Sequence, residues 1–139
     1  MEYMFVNSIS VDLDTLGDLS NWNTSNLKNV HNFIGGSADP SSTYFKHYDN
    51  FKMFPIPPNC NTIGIFDKKI GLRGVIKCGK ISSSIMFKDS PLTHNSALVL
   101  INALDAENPG TLTLSTETYA TLTDEDKAIA TSKGWTIAA

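Results

Sequence analysis

Residues 93–115, THNSALVLINALDAENPGTLTLS, contain two hydrophobic periodicities in succession. The first predicts a helix, because apolar residues fall on one face at three- and four-residue spacing: Ala97, Leu98, Ile101 and Leu104. Thr93 precedes this run as a candidate N-cap, and Asn108-Pro109-Gly110 predicts the end of the helix. The second periodicity alternates every two residues over 111–115 and predicts a strand whose two leucines face inward.

The alternation of strands and helices extends over the C-terminal residues 82–139. An apolar run at 84–87 predicts a strand, residues 124–132 predict a second helix, and residues 135–137 predict a closing strand. The predicted strands therefore start near residues 84, 111 and 135, at intervals of 27 and 24 residues. Short strand–helix units at such an interval are typical of a small solenoid, in which each unit buries the face of the next. A two-layer α/β domain with the same elements is the structural alternative.

The second helix carries signals at both ends. Thr123 is a candidate N-cap, and Asp126 occupies the third helical position of a capping box. Asp124-Glu125-Asp126 also has the composition of a carboxylate cluster for acid/base chemistry or cation binding, but negative charge in a first helical turn favours the capping role. Lys133-Gly134 predicts the C-cap.

Residues 1–81 are less regular, and we interpret them as one continuous domain with residues 82–139. Alternating Ile9, Val11 and Leu13 predict a strand, and residues 62–66 and 74–78 are two further short strand candidates. Residues 19–37 are rich in Asn and Ser, whose side chains bond neighbouring backbone and fix tight turns.

The composition excludes several classes of function. A chain of 139 residues with 41% hydrophobic and 18% charged residues, in which Ser, Thr and Asn make up 39 positions, predicts one turn-rich globular domain. Nucleic acid is a poor partner, because the net charge is −3 and no basic run exceeds Lys68-Lys69. No membrane insertion is expected, since no stretch approaches 18 apolar residues. The N-terminus lacks the positive region of a Sec signal peptide.

The cysteines and histidines do not form a known metal or catalytic motif. Cys60 and Cys78 lie 18 positions apart without a C-x-x-C pair, which leaves buried free thiols, favoured here, or a single disulfide. His31, His47 and His94 have no metal-ligand spacing. We therefore predict no metal, no cofactor and no catalytic residue.

Two parts of the sequence carry a family resemblance. The first is LSNWNTSNLKNV at 19–30 with FIGGS at 33–37, and the second is the ending, with DSPLTHNSAL at 89–98, TLTL at 111–114, LTDEDKAIA at 122–130 and KGWT at 133–136. Both resemble BspA-like leucine-rich-repeat surface proteins of gut bacteria and their phages. The resemblance implies an α/β fold: a short leucine-rich-repeat-like solenoid with a C-terminal strand-helix-strand-helix-strand cap. It also implies binding rather than turnover.

We accordingly expect a non-enzymatic structural or recognition protein exposed on a phage virion, as a decoration or tail-associated protein, or on a bacterial surface. Its expected partners are other virion or surface proteins, or a host glycan or receptor. Aromatic faces stack on sugars and fill protein pockets, which makes six residues candidates for binding: Trp22, Tyr44, Phe45, His47, Tyr48 and Phe51. The alternative for these rings is a place in the core.

Two other hypotheses come from different classes. A small cysteine-dependent hydrolase would use Cys60 or Cys78 with one of the histidines. Self-assembly into a homo-oligomer would use the open strand edges that a short array leaves at its ends.

Overall fold

All strand pairing in the computed structural model, which describes residues 12–34 and 46–139, is parallel. The elements in chain order are β1 (Phe51–Met53), β2 (Val75–Cys78), β3 (Ile85–Phe87), α1 (His94–Ala103), β4 (Thr111–Leu114), α2 (Thr116–Ala120), α3 (Asp124–Ser132) and β5 (Thr136–Ala138). The strands form a two-stranded sheet, β1-β2, and a three-stranded sheet, β3-β4-β5. Helix α1 crosses from β3 to β4, and α2 and α3 cross from β4 to β5, as parallel pairing requires.

Isolated parallel bridges lie outside the two sheets. They join Asn29 to Asn61, Tyr48 to Leu72, Ile56 to Ile81, and Ile81 to Leu104. Further backbone bonds continue the first of these, with Asn32 N–H donating to Ile63 and Ile34 N–H donating to Ile65. The chain therefore passes through the molecule several times in one direction, even where no strand is formed.

The expected leucine-rich-repeat-like solenoid is wrong. A solenoid stacks equivalent units along one continuous sheet. Here the strands are divided between two short sheets, and every helix of the described residues follows β3. The described residues form a small α/β fold with two parallel sheets and three helices, because the described connections before β3 fold into turns and not into strand–helix units.

The C-terminal cap also differs from the expectation. The expected order has no helix between the strand at 111–115 and the helix at 124–132. In the structure α2 occupies Thr116–Ala120, which makes the order strand-helix-strand-helix-helix-strand. Ser115 starts α2 because its Oγ accepts a hydrogen bond from the Thr118 N–H. Helix α1 ends at Ala103, before Asn108-Pro109-Gly110, because Leu104 is extended and bridges to Ile81.

The helix-cap predictions are confirmed. Thr93 caps α1 by accepting from the Ser96 N–H. Thr123 and Asp126 form the reciprocal capping box of α3. Lys133 is the C-cap of α3, and Gly134 follows it with a φ of +76°.

The predictions for the N-terminal half hold only in part. Residues 75–78 form β2, close to the predicted strand at 74–78, whereas residues 63–68 form turns where a strand was predicted at 62–66. Leu13 is buried in a turn, and Ile9 and Val11 lie outside the described residues. The predicted turn chemistry is present: Asp18, Asn23 and Asn29 each accept a hydrogen bond from the N–H two residues later.

A single cluster of buried apolar residues extends from Leu13 to Trp135 and holds both sheets. At its centre the rings of Phe66 and Phe87 stack with centroids 4.5 Å apart, and Phe51 meets Phe66 edge-on at 6.2 Å. No helix among the described residues has the length and apolar character needed to cross a membrane.

Close backbone approach makes Gly74 sensitive to substitution. A Cβ there would lie 1.9 Å from the Asp49 carbonyl oxygen, so we expect Gly74→Ala to lower the free energy of unfolding by about 3 kcal/mol. Gly17 has a φ of +84° but open space around it, so Gly17→Ala should cost only about 1 kcal/mol of backbone strain. Denaturant unfolding measures both, and equal losses would contradict the close approach.

Candidate binding site

A cleft of about 560 Å³ lies between the connection from β1 to β2, the residues before β3 and the residues after α1. This volume is within the range of about 300–1,000 Å³ that is usual for ligand sites. One wall consists of residues 58–63, the floor of residues 82–84, and the other wall of residues 107–109. We call this site the cleft.

Serine side chains of the floor hold the first wall in place. Ser83 Oγ donates to the Pro57 carbonyl at 2.8 Å and accepts from the Cys60 N–H at 3.1 Å. Thr62 Oγ1 donates to the Ser84 carbonyl at 2.6 Å. These bonds join residues more than 20 positions apart, so the wall and floor form one rigid unit.

The buried carboxylate of Asp105, only 4% exposed, holds the second wall. Its Oδ2 accepts from Ser82 Oγ at 2.7 Å and from Asn108 Nδ2 at 2.9 Å, and its Oδ1 accepts from the Glu107 N–H at 3.1 Å. Lys80 Nζ lies 3.2 Å from Oδ1. The hydrogen bonds from Asn108 and Ser82 are the main reason that the pKa of Asp105 lies far below its usual value.

The polar atoms that remain available in the cleft come mainly from three asparagines and one acid. The Asn59 amide makes no hydrogen bond within the described part of the chain, and its residue has a φ of +58°. Asn61 Oδ1 accepts from the Ile63 N–H, which leaves its Nδ2 for a ligand. Asn108 donates through Nδ2 and leaves its Oδ1, and Glu107 is exposed. The cleft therefore offers donors and acceptors together.

An apolar groove of about 460 Å³ continues from the cleft across the outer face of the three-stranded sheet. Its lining residues are Thr62, Ile63, Ser84, Ile85, Met86, Thr111 and Thr113. Ile63 is 69% exposed and Met86 is 49% exposed, although both are large and apolar. The cleft and the groove share Thr62, Ile63 and Ser84, and we call the two together the recognition face.

The six candidate binding residues of the sequence analysis do not meet at one site within the described part of the chain. Phe51 is fully buried and Tyr48 is 9% exposed, so their rings contribute to the core, as the alternative for them predicted. Trp22 and His47 are exposed, but neither lines the recognition face. Tyr44 and Phe45 lie outside the described residues.

Of the thiols that the hydrolase alternative would use, that of Cys60 lines the cleft and that of Cys78 lies on β2. Cys60 and Cys78 are both free, and burial raises the pKa of each thiol, that of Cys78 to about 12. His94 Nε2 lies 2.9 Å from Asp126 Oδ2 and so joins α1 to the capping box of α3. In residues 12–34 and 46–139, no three His, Cys, Asp or Glu side chains are grouped to hold a metal ion.

Sequence reasoning missed the recognition face. The outward position of Met86 follows from the alternation of buried Ile85 and Phe87 around it, which was a usable signal. Asn108 was read only as a helix stop, and nothing local showed that Asn59, Asn61 and Asn108 share one cleft.

Comparison with known proteins finds no similar protein. No family model matches the sequence, and neither a curated protein nor a solved structure shows significant similarity to it.

Removal of the Asp105 carboxylate should destabilise the fold. We expect Asp105→Ala to lower the free energy of unfolding by about 3 kcal/mol, because Ser82 and Asn108 lose a charged acceptor in a buried position. Asp49→Asn is the matched control: Asp49 also pairs with a cation, Arg73, but is half exposed and should matter much less. Denaturant unfolding of both variants at neutral pH checks this.

The same carboxylate should make stability depend on pH. Because the folded pKa of Asp105 is lowered, its stabilisation is complete above about pH 4, where the unfolded carboxyl is also ionised, and is lost as the pH falls towards the folded pKa. Asp105→Asn should therefore flatten the fall of unfolding free energy below about pH 4. A variant with the same acid slope as the unmodified protein would contradict this role.

Thiol reactivity separates the hydrolase alternative from a structural role. In the folded protein at neutral pH, we expect both cysteines to react with iodoacetamide more slowly than free cysteine, Cys78 by at least about tenfold, because burial raises the pKa of each thiol. Unfolding in denaturant should restore the ordinary rate. A fast thiol in the folded state would favour a nucleophile.

Proposed function

We propose that this protein is a non-enzymatic recognition protein, exposed on a phage virion or a bacterial surface, that binds its partner through the recognition face. The observation that carries the proposal is the exposure of Ile63 and Met86 along a groove that opens into a polar cleft. Exposed apolar side chains that line a concave surface with a polar rim mark interaction sites.

The rigid construction of the face supports binding rather than turnover. Four hydroxyl groups of the face already form hydrogen bonds within the protein, those of Thr62, Ser82, Ser83 and Ser84. A face held in this way loses little conformational freedom when a ligand binds, which favours affinity. The thiols of the hydrolase alternative have raised pKa values, which disfavours the thiolate that such an enzyme needs.

The location on a virion or cell surface is proposed from the resemblance of residues 19–37 and 89–136 to BspA-like proteins. Mass spectrometry of purified particles, washed cell envelopes and cytosol tests it directly. We expect enrichment in particles or envelopes, and recovery in the cytosol alone would overturn the proposal.

A pair of substitutions tests the recognition face itself. Met86→Lys should weaken retention of the purified protein on those particles or on intact cells by about tenfold, equivalent to about 1.4 kcal/mol. Ile76→Lys is the matched control, because Ile76 is also 49% exposed but lies on β2, outside the face. Both side chains are exposed, so the melting temperature should change little in either variant. Equal retention of the two variants would contradict the assignment.

A further inference from the structure

We infer that the cleft binds a neutral sugar unit of a glycan, with the adjoining groove receiving the continuation of the saccharide chain. This inference rests on the proposed recognition function and names its ligand class. The chemistry of the available side chains, the charge of the site and the type of backbone around it each point to this ligand.

The available polar atoms match the hydroxyl groups of a sugar. Asn59 offers a whole amide, Asn61 offers Nδ2 as a donor, and Asn108 offers Oδ1 as an acceptor. A sugar hydroxyl both donates and accepts, so neighbouring hydroxyls on a ring require such a mixture. A surface of donors alone or acceptors alone would not satisfy them.

The charge of the cleft selects a neutral ligand. Among the described residues that line the cleft, Glu107 is the one charged side chain, and none is Lys or Arg. Lys80, the nearest cation in the Asp105 network, is paired with that carboxylate. A phosphate, sulfate or sugar acid would meet the exposed carboxylate of Glu107 and no cation among the described lining residues, which is unfavourable.

Apolar surface borders the polar atoms on both sides. Pro58 and Ile63 lie in one wall and Pro109 in the other, where they can cover the C–H faces of a ring. The groove past Ile63 and Met86 continues in the same direction with Thr111 and Thr113 beside it. This alternation of hydroxyl and apolar surface fits the amphipathic profile of a saccharide chain.

A peptide fits the cleft less well. Extended peptides are recognised by main-chain hydrogen bonds to an open strand edge. The cleft is instead lined by turns and by the side chains that project from them, at residues 58–63 and 107–109. Side-chain amides directed at hydroxyl groups are therefore the better match.

The expected affinity for a single sugar is low. No aromatic ring lines the cleft within the described residues, so hydrogen bonds and aliphatic contacts carry the binding. We expect a Kd of about 1 mM for a monosaccharide, with tighter binding of an oligosaccharide that also fills the groove.

Solution NMR of the ¹⁵N-labelled full chain tests the inference. The probes are the methyl glycosides of glucose, galactose, mannose and N-acetylglucosamine, with the methyl glycoside of glucuronic acid as a charged comparison. We expect at least one neutral probe to shift the side-chain amide signals of Asn59, Asn61 and Asn108 saturably, and glucuronic acid to shift them less than glucose does. No saturable shift with any neutral probe would overturn the inference.

A matched pair of variants tests the site. Asn59→Gly removes an amide at a residue whose positive φ glycine tolerates, and should weaken binding of the responding sugar about tenfold. Asn95→Ala removes an exposed asparagine of α1, away from the cleft, and should leave binding unchanged. Equal affinities of the two variants would overturn the assignment of the cleft.

The outcomes separate this inference from the proposed function. If Met86→Lys loses retention on particles or cells while no sugar shifts a cleft amide, the recognition function stands and the sugar ligand is wrong. If acetyl-Asn-Ser-Thr-amide shifts these signals and the sugars do not, the ligand is a peptide and the inference is overturned. If no sugar shifts a cleft amide and Met86→Lys does not weaken retention on particles or cells, the sugar ligand and the recognition function are both wrong.

Discussion

Parallel pairing is the constraint on which the rest of this structure depends. Each return to a parallel neighbour needs a crossover of a dozen or more residues, and the backbone groups of that crossover must find partners. Helices α1, α2 and α3 satisfy their own groups between β3 and β5. Before β3, the backbone groups must find their partners within turns. Backbone N–H groups that form no main-chain bond there donate to the side-chain oxygens of Asp18, Asn23, Asn29 and Asn61. Turns of this kind favour Asn, Ser and Thr, which make up 39 of the 139 residues.

The same constraint divides what the sequence could predict from what it could not. The caps at Thr93 and Thr123 and the Asx turns were predictable, because each joins residues two or three positions apart. The division into two sheets was not predictable, because it depends on which of several short apolar runs pair with each other across 23 to 32 positions. The strand interval at 84, 111 and 135 describes the C-terminal part. The solenoid prediction, which the interval suggested and the family resemblance applied to the whole chain, is wrong because the strands are divided between two sheets. The burial of Phe51 and Tyr48 was unpredictable for another reason: composition cannot distinguish a ring in the core from a ring in a site.

The candidate site arises from the side chains that build the fold. Asn61 closes a turn with its oxygen and leaves its amide nitrogen, and Asn108 binds Asp105 with its nitrogen and leaves its oxygen. In each of these two asparagines, one atom of the side-chain amide bonds within the fold and the other remains available to a ligand. Since Asp105 fixes Ser82, Glu107 and Asn108 at once, the geometry of the cleft and the stability of the fold are expected to change together when that carboxylate is altered.

The described carboxylates with a clearly shifted pKa have structural partners. A general acid or base works best with a pKa near the pH at which it operates, which for a carboxyl group requires an upward shift. Every carboxyl group here whose pKa departs clearly from its usual value is shifted downward: Asp12, Asp18, Asp49, Asp105 and Asp126. Each of these carboxylates bonds to a cation, to an N–H group of a turn or to a helix N-terminus, so its negative charge stabilises the fold. The pKa of each thiol is shifted in the opposite direction, because burial raises it, and the lining of the cleft combines uncharged amides and hydroxyls with the Glu107 carboxylate.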